Sequence, residues 1–227
     1  MASQSKIWHL ENINLLKDLC DKELGKVEKM TTMKSHNKDQ YVYFPEEPST
    51  NVYFLKEGRI KLGSYSDDGK EITKAILNPG EVFGELALIG EDKRNDFAQA
   101  LDNNVTICAM GRDDMQRLME DNSKLSIKVT KLMGLRLRKT ETKYTDLIFK
   151  DVRTRIIDFL KELAKEQGSM VGDEVMIKHK LTHQDIANLT ATTRQTVTTV
   201  LNELKDKDQL YMERKKFLIR DVLKLGQ

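Results

Sequence analysis

Cysteine is nearly absent from this chain: Cys20 and Cys108 stand far apart among 227 residues. Two thiols so placed cannot build an iron–sulfur or zinc site alone, and a disulfide framework is excluded. Proline is scarce too, at 3 residues beside 12 glycines. No apolar run approaches the roughly 18–20 residues that span a membrane. The opening stretch MASQSKIWHLENINLL lacks the apolar centre and small-residue cleavage site of a secretion signal. No Gly-rich nucleotide loop, nucleophile elbow, HExxH helix or paired-cysteine cluster occurs, so no catalytic residues and no enzyme are expected. What remains is 39% hydrophobic and 33% charged residues. That mixture predicts a soluble, folded, cytoplasmic chain of one large or two modest domains, with no membrane partner.

The net charge of +2 hides a small asymmetry. Residues 1–149 hold 23 Lys/Arg against 24 Asp/Glu, and residues 150–227 hold 15 against 12. The basic surplus falls where a nucleic-acid partner would want it, though charge alone does not carry the claim.

From Gln40 to about Ile107 the pattern is that of strands. Gln40–Phe44 stops at Pro45, Val52–Leu55 stops at Gly58, and Arg59–Leu62 alternates polar with apolar. Asp67-Asp68-Gly69 is a hairpin turn before Ile72–Leu77, and Val105–Met110 closes the series. Short strands at this spacing predict a small β-barrel or jelly roll, with charged, helix-like residues 5–34 flanking it.

The character changes at Gly111. From about Asp113 to Phe149 there is no proline and one glycine, and Met133, Leu137, Thr140, Tyr144 and Leu147 recur at intervals of 4, 3, 4 and 3. Such a heptad seam needs burial against a partner helix or against the chain's own barrel. A long helix linking two domains favours a homodimer axis. Ile156, Ile157, Leu160 and Leu163 begin a further helix, Glu174–Lys178 reads as a strand, and Leu210–Met212 with Phe217–Ile219 forms a hairpin around Glu213–Lys216. The expected division is 1–110, 111–150 and 151–227.

Residues 181–204, LTHQDIANLTATTRQTVTTVLNEL, carry the strongest signal. Thr182 with Asp185 predicts a capped helix start, and Thr192 with Gln195 a second. Ala187 is small where two helices would cross, while Val197, Val200, Leu201 and Leu204 line an inner stripe. This is a helix-turn-helix whose second helix would enter the major groove of double-stranded DNA. Its outward face presents Arg194, Gln195, Thr198, Thr199 and Asn202, side chains that pair with base edges or meet a thymine methyl. Thr182, Thr193 and Thr196 are placed for phosphates. The hairpin at Glu213–Lys216 is either a wing beside the backbone or a plain exposed turn.

With these elements in place the chain resembles the CRP/FNR family of bacterial transcription regulators, over roughly residues 15–220. Gly80-Glu81-Val82-Phe83-Gly84-Glu85-Leu86 through Arg94 resembles the phosphate-binding cassette of cyclic-nucleotide-binding domains. Thr193-Arg194-Gln195-Thr196-Val197 resembles the start of the family's recognition helix. The resemblance implies an α+β fold: an N-terminal cyclic-nucleotide-binding-like barrel, a long dimerisation helix and a C-terminal winged helix-turn-helix. It implies DNA and a second copy of the chain as partners, and contact with RNA polymerase, to which no residue is assigned. Effector roles then fall on Gly84, Glu85, Leu86, Arg94, Asn95 and Thr140, with cyclic AMP or another small molecule as the ligand.

The cassette departs from cyclic-AMP binders. There Arg94 would be followed by Ser or Thr and then Ala; here Asn95-Asp96 follows, and Asp96 opposes a phosphodiester unless it points away. Glu85 and Arg94 forming only a structural ion pair is the competing account. No metal site is expected: His9 and His36 read as surface histidines, His179 and His183 as solvent- or phosphate-facing, and Cys108 as a core residue. A cyclic-nucleotide-responsive regulatory subunit acting on a protein partner is the rival function, and the helix-turn-helix argues against it.

Overall fold

The computed structural model describes residues 15–17, 19–69, 71–213 and 215–227. Expectations that rest on residues 5–14, His9 included, and on Arg214 lie outside them. One compact unit ends at Arg136 and a second runs Leu137–Gln227.

In the first unit Val52-Tyr53-Phe54-Leu55 is buried without alternation, because the strand holding it is covered on both faces. That strand, β3 (Asn51–Glu57), lies in a sheet ordered β1-β8-β3-β6, with β1 (Thr31–His36), β8 (Val105–Gly111) and β6 (Val82–Phe83). A second sheet, ordered β2-β7-β4-β5, holds β2 (Tyr41–Tyr43), β7 (Phe97–Ala100), β4 (Ile60–Tyr65) and β5 (Glu71–Leu77). Tyr53 and Leu55 point to a core shared with Ile60, Leu62, Phe83, Ala98 and Ile107, drawn from both sheets. Val52 and Phe54 point the other way, onto Leu24, Val27, Cys108, Met115 and Leu125. The latter group comes largely from α1 (Asp21–Met30), α2 (Arg112–Asp121) and α3 (Ser123–Phe149). Each such side chain contributes about 1.5–3 kcal/mol on leaving water.

The strands form two packed four-stranded sheets, the jelly-roll-like alternative of the expected pair and not the closed barrel. The helix-like stretch ends at Met30, and Thr31–His36 is an edge strand paired antiparallel to β8 from Thr31↔Met110 to His36↔Val105. Its polar composition hides it, since four of its six positions are exposed. The hairpin between β4 and β5 turns at Gly69, which adopts φ +77°.

The second unit packs α4 (Val152–Gln167), α5 (His183–Leu189) and α6 (Arg194–Asp206) with a sheet ordered β11-β12-β10-β9. Its strands are β9 (Gly168–Val171), β10 (Glu174–Lys178), β11 (Leu210–Glu213) and β12 (Lys216–Ile219). Ile156, Leu160, Ile177, Ile186, Val197, Leu201 and Phe217 form its core. The Asp151 carboxylate caps α4 by accepting from the Thr154 N–H at 2.7 Å, a hydrogen bond that holds the Asp151 pKa below the ordinary carboxylate range. His179 is buried against the Phe217 ring, with 3.9 Å between centroids. Its Nδ1 accepts from the Leu181 N–H, so this histidine is a packing residue and not the solvent-facing one expected.

Candidate nucleic-acid interface and effector cradle

α5 begins where the sequence places it. Thr182 is the N-cap, its hydroxyl accepting from the Asp185 N–H while the Asp185 carboxylate accepts from the Thr182 N–H at 2.7 Å. Thr182 also donates its hydroxyl proton to that carboxylate. Ala187 is fully buried beneath α6, and its carbonyl accepts from the Thr192 N–H at 2.9 Å. The turn passes through Ala191 at φ +51°, a conformation that favours glycine. Arg155 of α4 holds it there, donating to the Thr190 and Ala191 carbonyls.

The second cap falls one residue later than expected. Thr193, extended at φ −94° and ψ 151°, caps α6 and accepts from the Thr196 N–H at 3.2 Å. Thr196, three residues on, supplies the reaching group: its hydroxyl lies 2.8 Å from that of Thr193. Gln195 is therefore in the first turn and exposed, not a capping partner.

Arg194, Gln195, Thr199 and Asn202 are exposed and Thr198 is half-buried beside them, as positions three and four apart on one helix face require. The acid that ends this face is turned aside: Glu203 accepts from Arg153 and pairs with Lys207, each at 3.1 Å. The Arg153 hydrogen bond holds its pKa low. β11 and β12 form the expected hairpin, with Lys215 at its turn and Lys216 beside Glu213.

In the first unit Gly84, Glu85 and Arg94 converge. Gly84 takes φ +71°, and an added Cβ would stand 3.0 Å from both Arg94 Nη1 and the Tyr53 ring, so any other residue here is strained. Arg94 is 2% exposed. It donates from Nη1 to the Gly84 carbonyl at 3.1 Å and from Nη2 to the Asn51 carbonyl at 2.5 Å. Its guanidinium lies 4.5 Å from the Tyr43 ring centroid and 5.7 Å from that of Tyr53. Arg94 Nε is buried without a hydrogen-bond partner among the described residues. The competing account, an ion pair between Glu85 and Arg94, does not hold: Glu85 pairs with Arg136 of α3, which also donates to the Val82 carbonyl. Asp96 is paired with Tyr43, and burial pushes its carboxyl upward. The same desolvation raises Tyr43. Leu86 and Asn95 are exposed, and the Asn95 carbonyl accepts from Lys74. Thr140 belongs to the second unit, on an exposed stretch of α3.

Residues 33–122 match the family described as "Cyclic nucleotide-binding domain" and residues 154–227 the family described as "Crp-like helix-turn-helix domain". The chain is 30% identical over 186 residues to a CRP-like cAMP-activated global transcriptional regulator of Mycobacterium tuberculosis, spanning 82% of this chain and 83% of that one. It belongs to the CRP/FNR family. A global nitrogen regulator of Nostoc sp. is 29% identical over 196 residues, 86% of this chain and 88% of the relative. Among solved structures, a CooA mutant from Carboxydothermus hydrogenoformans shares the fold with a TM-score of 0.79 at 24% identity, covering 99% of this chain and 96% of that one. As a CRP/FNR protein the chain is a transcription regulator with a helix-turn-helix DNA-binding domain, and not an enzyme.

The CRP/FNR cassette implies a cyclic nucleotide, and the residues present fit one poorly. Arg94 already gives one N–H from each terminal nitrogen to a backbone carbonyl, so a phosphodiester would have to share or displace those bonds to be clasped by two parallel ones. Asp96 adds a carboxylate to the same group of side chains. Sequence reasoning missed Arg136, although it lies four residues before Thr140 and shares its helix face. Asn51 and Tyr43 left no signal, since a backbone carbonyl and a ring face are recruited only by folding. Among the described residues no cluster of three or more His, Cys, Asp or Glu is placed to hold a metal ion, and no helix is long and apolar enough to cross a membrane.

Proposed function

We propose that this regulator acts in the cytoplasm as a homodimer, each α6 entering one of two successive major grooves of a pseudo-palindromic site. Arg194, Gln195, Thr198, Thr199 and Asn202 read bases, and Thr182, Thr193 and Thr196 sit near phosphates. The observation that carries the reading is the acid-free polar face of α6, kept so by the turning of Glu203 onto Arg153. Arginine and glutamine at its first turn match guanine N7/O6 and adenine N6/N7. The wing at Glu213–Lys216 lies beside the DNA backbone, and the segments 1–110, 111–150 and 151–227 serve as sensor, dimer helix and reader. RNA polymerase is the downstream partner.

The second copy packs on the outer half of α3. Leu137, Tyr144 and Leu147 are exposed there at 61%, 66% and 49%, a spacing that suits a partner helix along its length. Thr140 lies in this seam. Met133 contributes differently: it is half-buried and packs on the core of its own unit, which is the other fate open to that end of the stripe.

The effector is a small molecule that offers an oxygen acceptor to Arg94 Nε and brings no phosphodiester against Asp96. Gly84, Glu85 and Arg94 form the cradle, with Leu86 and Asn95 at its edge. Selection of duplexes from a random pool, with and without cyclic AMP, tests both parts. The expected result is one palindrome enriched equally in both, and lost with Arg194→Ala, at about 1–3 kcal/mol per base contact. Enrichment only with cyclic AMP overturns the effector reading. Enrichment that survives Arg194→Ala overturns the recognition helix.

A further inference from the structure

His183 opens α5 directly after its cap and sits half-buried beside α6. Its Nδ1 lies 2.9 Å from the Thr198 hydroxyl oxygen. That same hydroxyl is 2.9 Å from the Arg194 carbonyl, one helical turn back. A hydroxyl has one proton and a carbonyl oxygen can only accept. Both hydrogen bonds form at once when the Thr198 proton goes to the Arg194 carbonyl and its oxygen accepts from His183 Nδ1–H, the tautomer that this pairing requires. So arranged, the imidazole and the carbonyl hold the Thr198 side chain from two sides. Thr199 makes the same kind of back-bond, to the Gln195 carbonyl at 3.1 Å, with no histidine behind it.

Thr198 then has no proton to give a guanine, a thymine carbonyl or a phosphate. We propose that His183 is a positioning residue for sequence readout. It pins the Thr198 hydroxyl against the recognition helix, so Thr198 meets DNA through its methyl group and selects thymine by the 5-methyl in the major groove. The proposal rests on α6 being the recognition helix. Thr198 alone leaves its rotamer free to swing a hydroxyl toward DNA; the second hydrogen bond removes that freedom. His183 thus belongs to the specificity of the site without touching a base.

The test uses the full-length protein and its selected duplex, with each thymine of both half-sites replaced in turn by deoxyuridine, which lacks only the methyl. Binding is read by fluorescence anisotropy. The wild type is expected to lose about fourfold at one thymine per half-site, the worth of one methyl group taken out of water. Thr198→Ser and His183→Ala are expected to bind thymine and deoxyuridine alike at that position, with the other positions unchanged. His183→Asn, whose amide N–H stands where Nδ1–H stood, is expected to restore the discrimination. A wild type indifferent to every such replacement overturns the proposal, as does full discrimination by His183→Ala. So does a Thr198→Ser effect that falls on adenine or cytosine positions, which the remaining oxygen lone pair would read. If His183→Ala loses its circular-dichroism signature, failure of His183→Asn to discriminate overturns it instead. Retention of specific binding by Arg194→Ala would mean that the recognition-helix reading itself has failed.

Discussion

Asp96 is a carboxylic acid with Tyr43 as a hydrogen-bond partner and Arg94 and Lys74 as neighbouring cations, yet burial outweighs them and its pKa is raised. The sign of the consequence is fixed by linkage. A group whose folded pKa exceeds its unfolded value contributes its full stability below the unfolded carboxylate range and loses it as pH rises through the folded pKa. Asp96→Asn removes that titration while keeping the size of the side chain. Its stability relative to wild type is expected to improve steadily as pH climbs from the ordinary carboxylate range upward, read as the difference between two urea-unfolding series. A constant difference across pH would contradict the burial argument. Removing the acid also clears the objection to an anion, so Asp96→Ser is expected to bind cyclic AMP better than the wild type in equilibrium dialysis.

At the scale of elements, the turn between α5 and α6 joins two caps by a left-handed residue. Ala191 at φ +51° carries a Cβ in a region that costs an L-residue about 1–2 kcal/mol. Glycine relieves that cost and adds its own backbone entropy, so Ala191→Gly is expected to lie within about 1 kcal/mol of wild type by chemical denaturation, on the stabilising side. The cap behaves oppositely. Thr193→Ala removes the acceptor for the Thr196 N–H and is expected to cost about 1 kcal/mol in the same measurement. It also loosens the end of α6 that carries Arg194. Sequence rules find both helices here because the caps are local, and they misplace the second by one residue because Thr192 and Thr193 have the same chemistry. Only the backbone conformation separates them.

At the scale of the whole molecule, the outer half of α3 carries the exposed apolar side chains Leu137, Tyr144 and Leu147. Leu137→Glu combined with Tyr144→Glu is expected to give a monomer by sedimentation, with helix content kept and affinity for the full palindrome reduced to that of a half-site. A dimer that persists would place the interface elsewhere. Within each unit the core is ordinary in strength: Leu201→Ala, at a position with no exposure, is expected to cost about 2–5 kcal/mol and to unfold the second unit first.

What the sequence settled alone were features written in local periods and single residue types. The strands with a clear period of two, the heptad spacing of α3, the Thr182 cap, Gly69 at a turn and the polar face of α6 all depend on neighbours a few positions away. The edge strand Thr31–His36 and the short strands at Val82–Phe83 and Phe97–Ala100 were decided only by pairing with distant segments. The partners of Arg94 and Glu85 were decided the same way. A cation in a list of residues pairs with the nearest plausible acid; in the folded chain Arg94 meets backbone carbonyls and two rings, and Glu85 meets an arginine from a helix far along the sequence. The physical reason is range. Propensity and capping act within one turn, whereas burial and electrostatic pairing depend on which distant surfaces the tertiary structure brings out of water together.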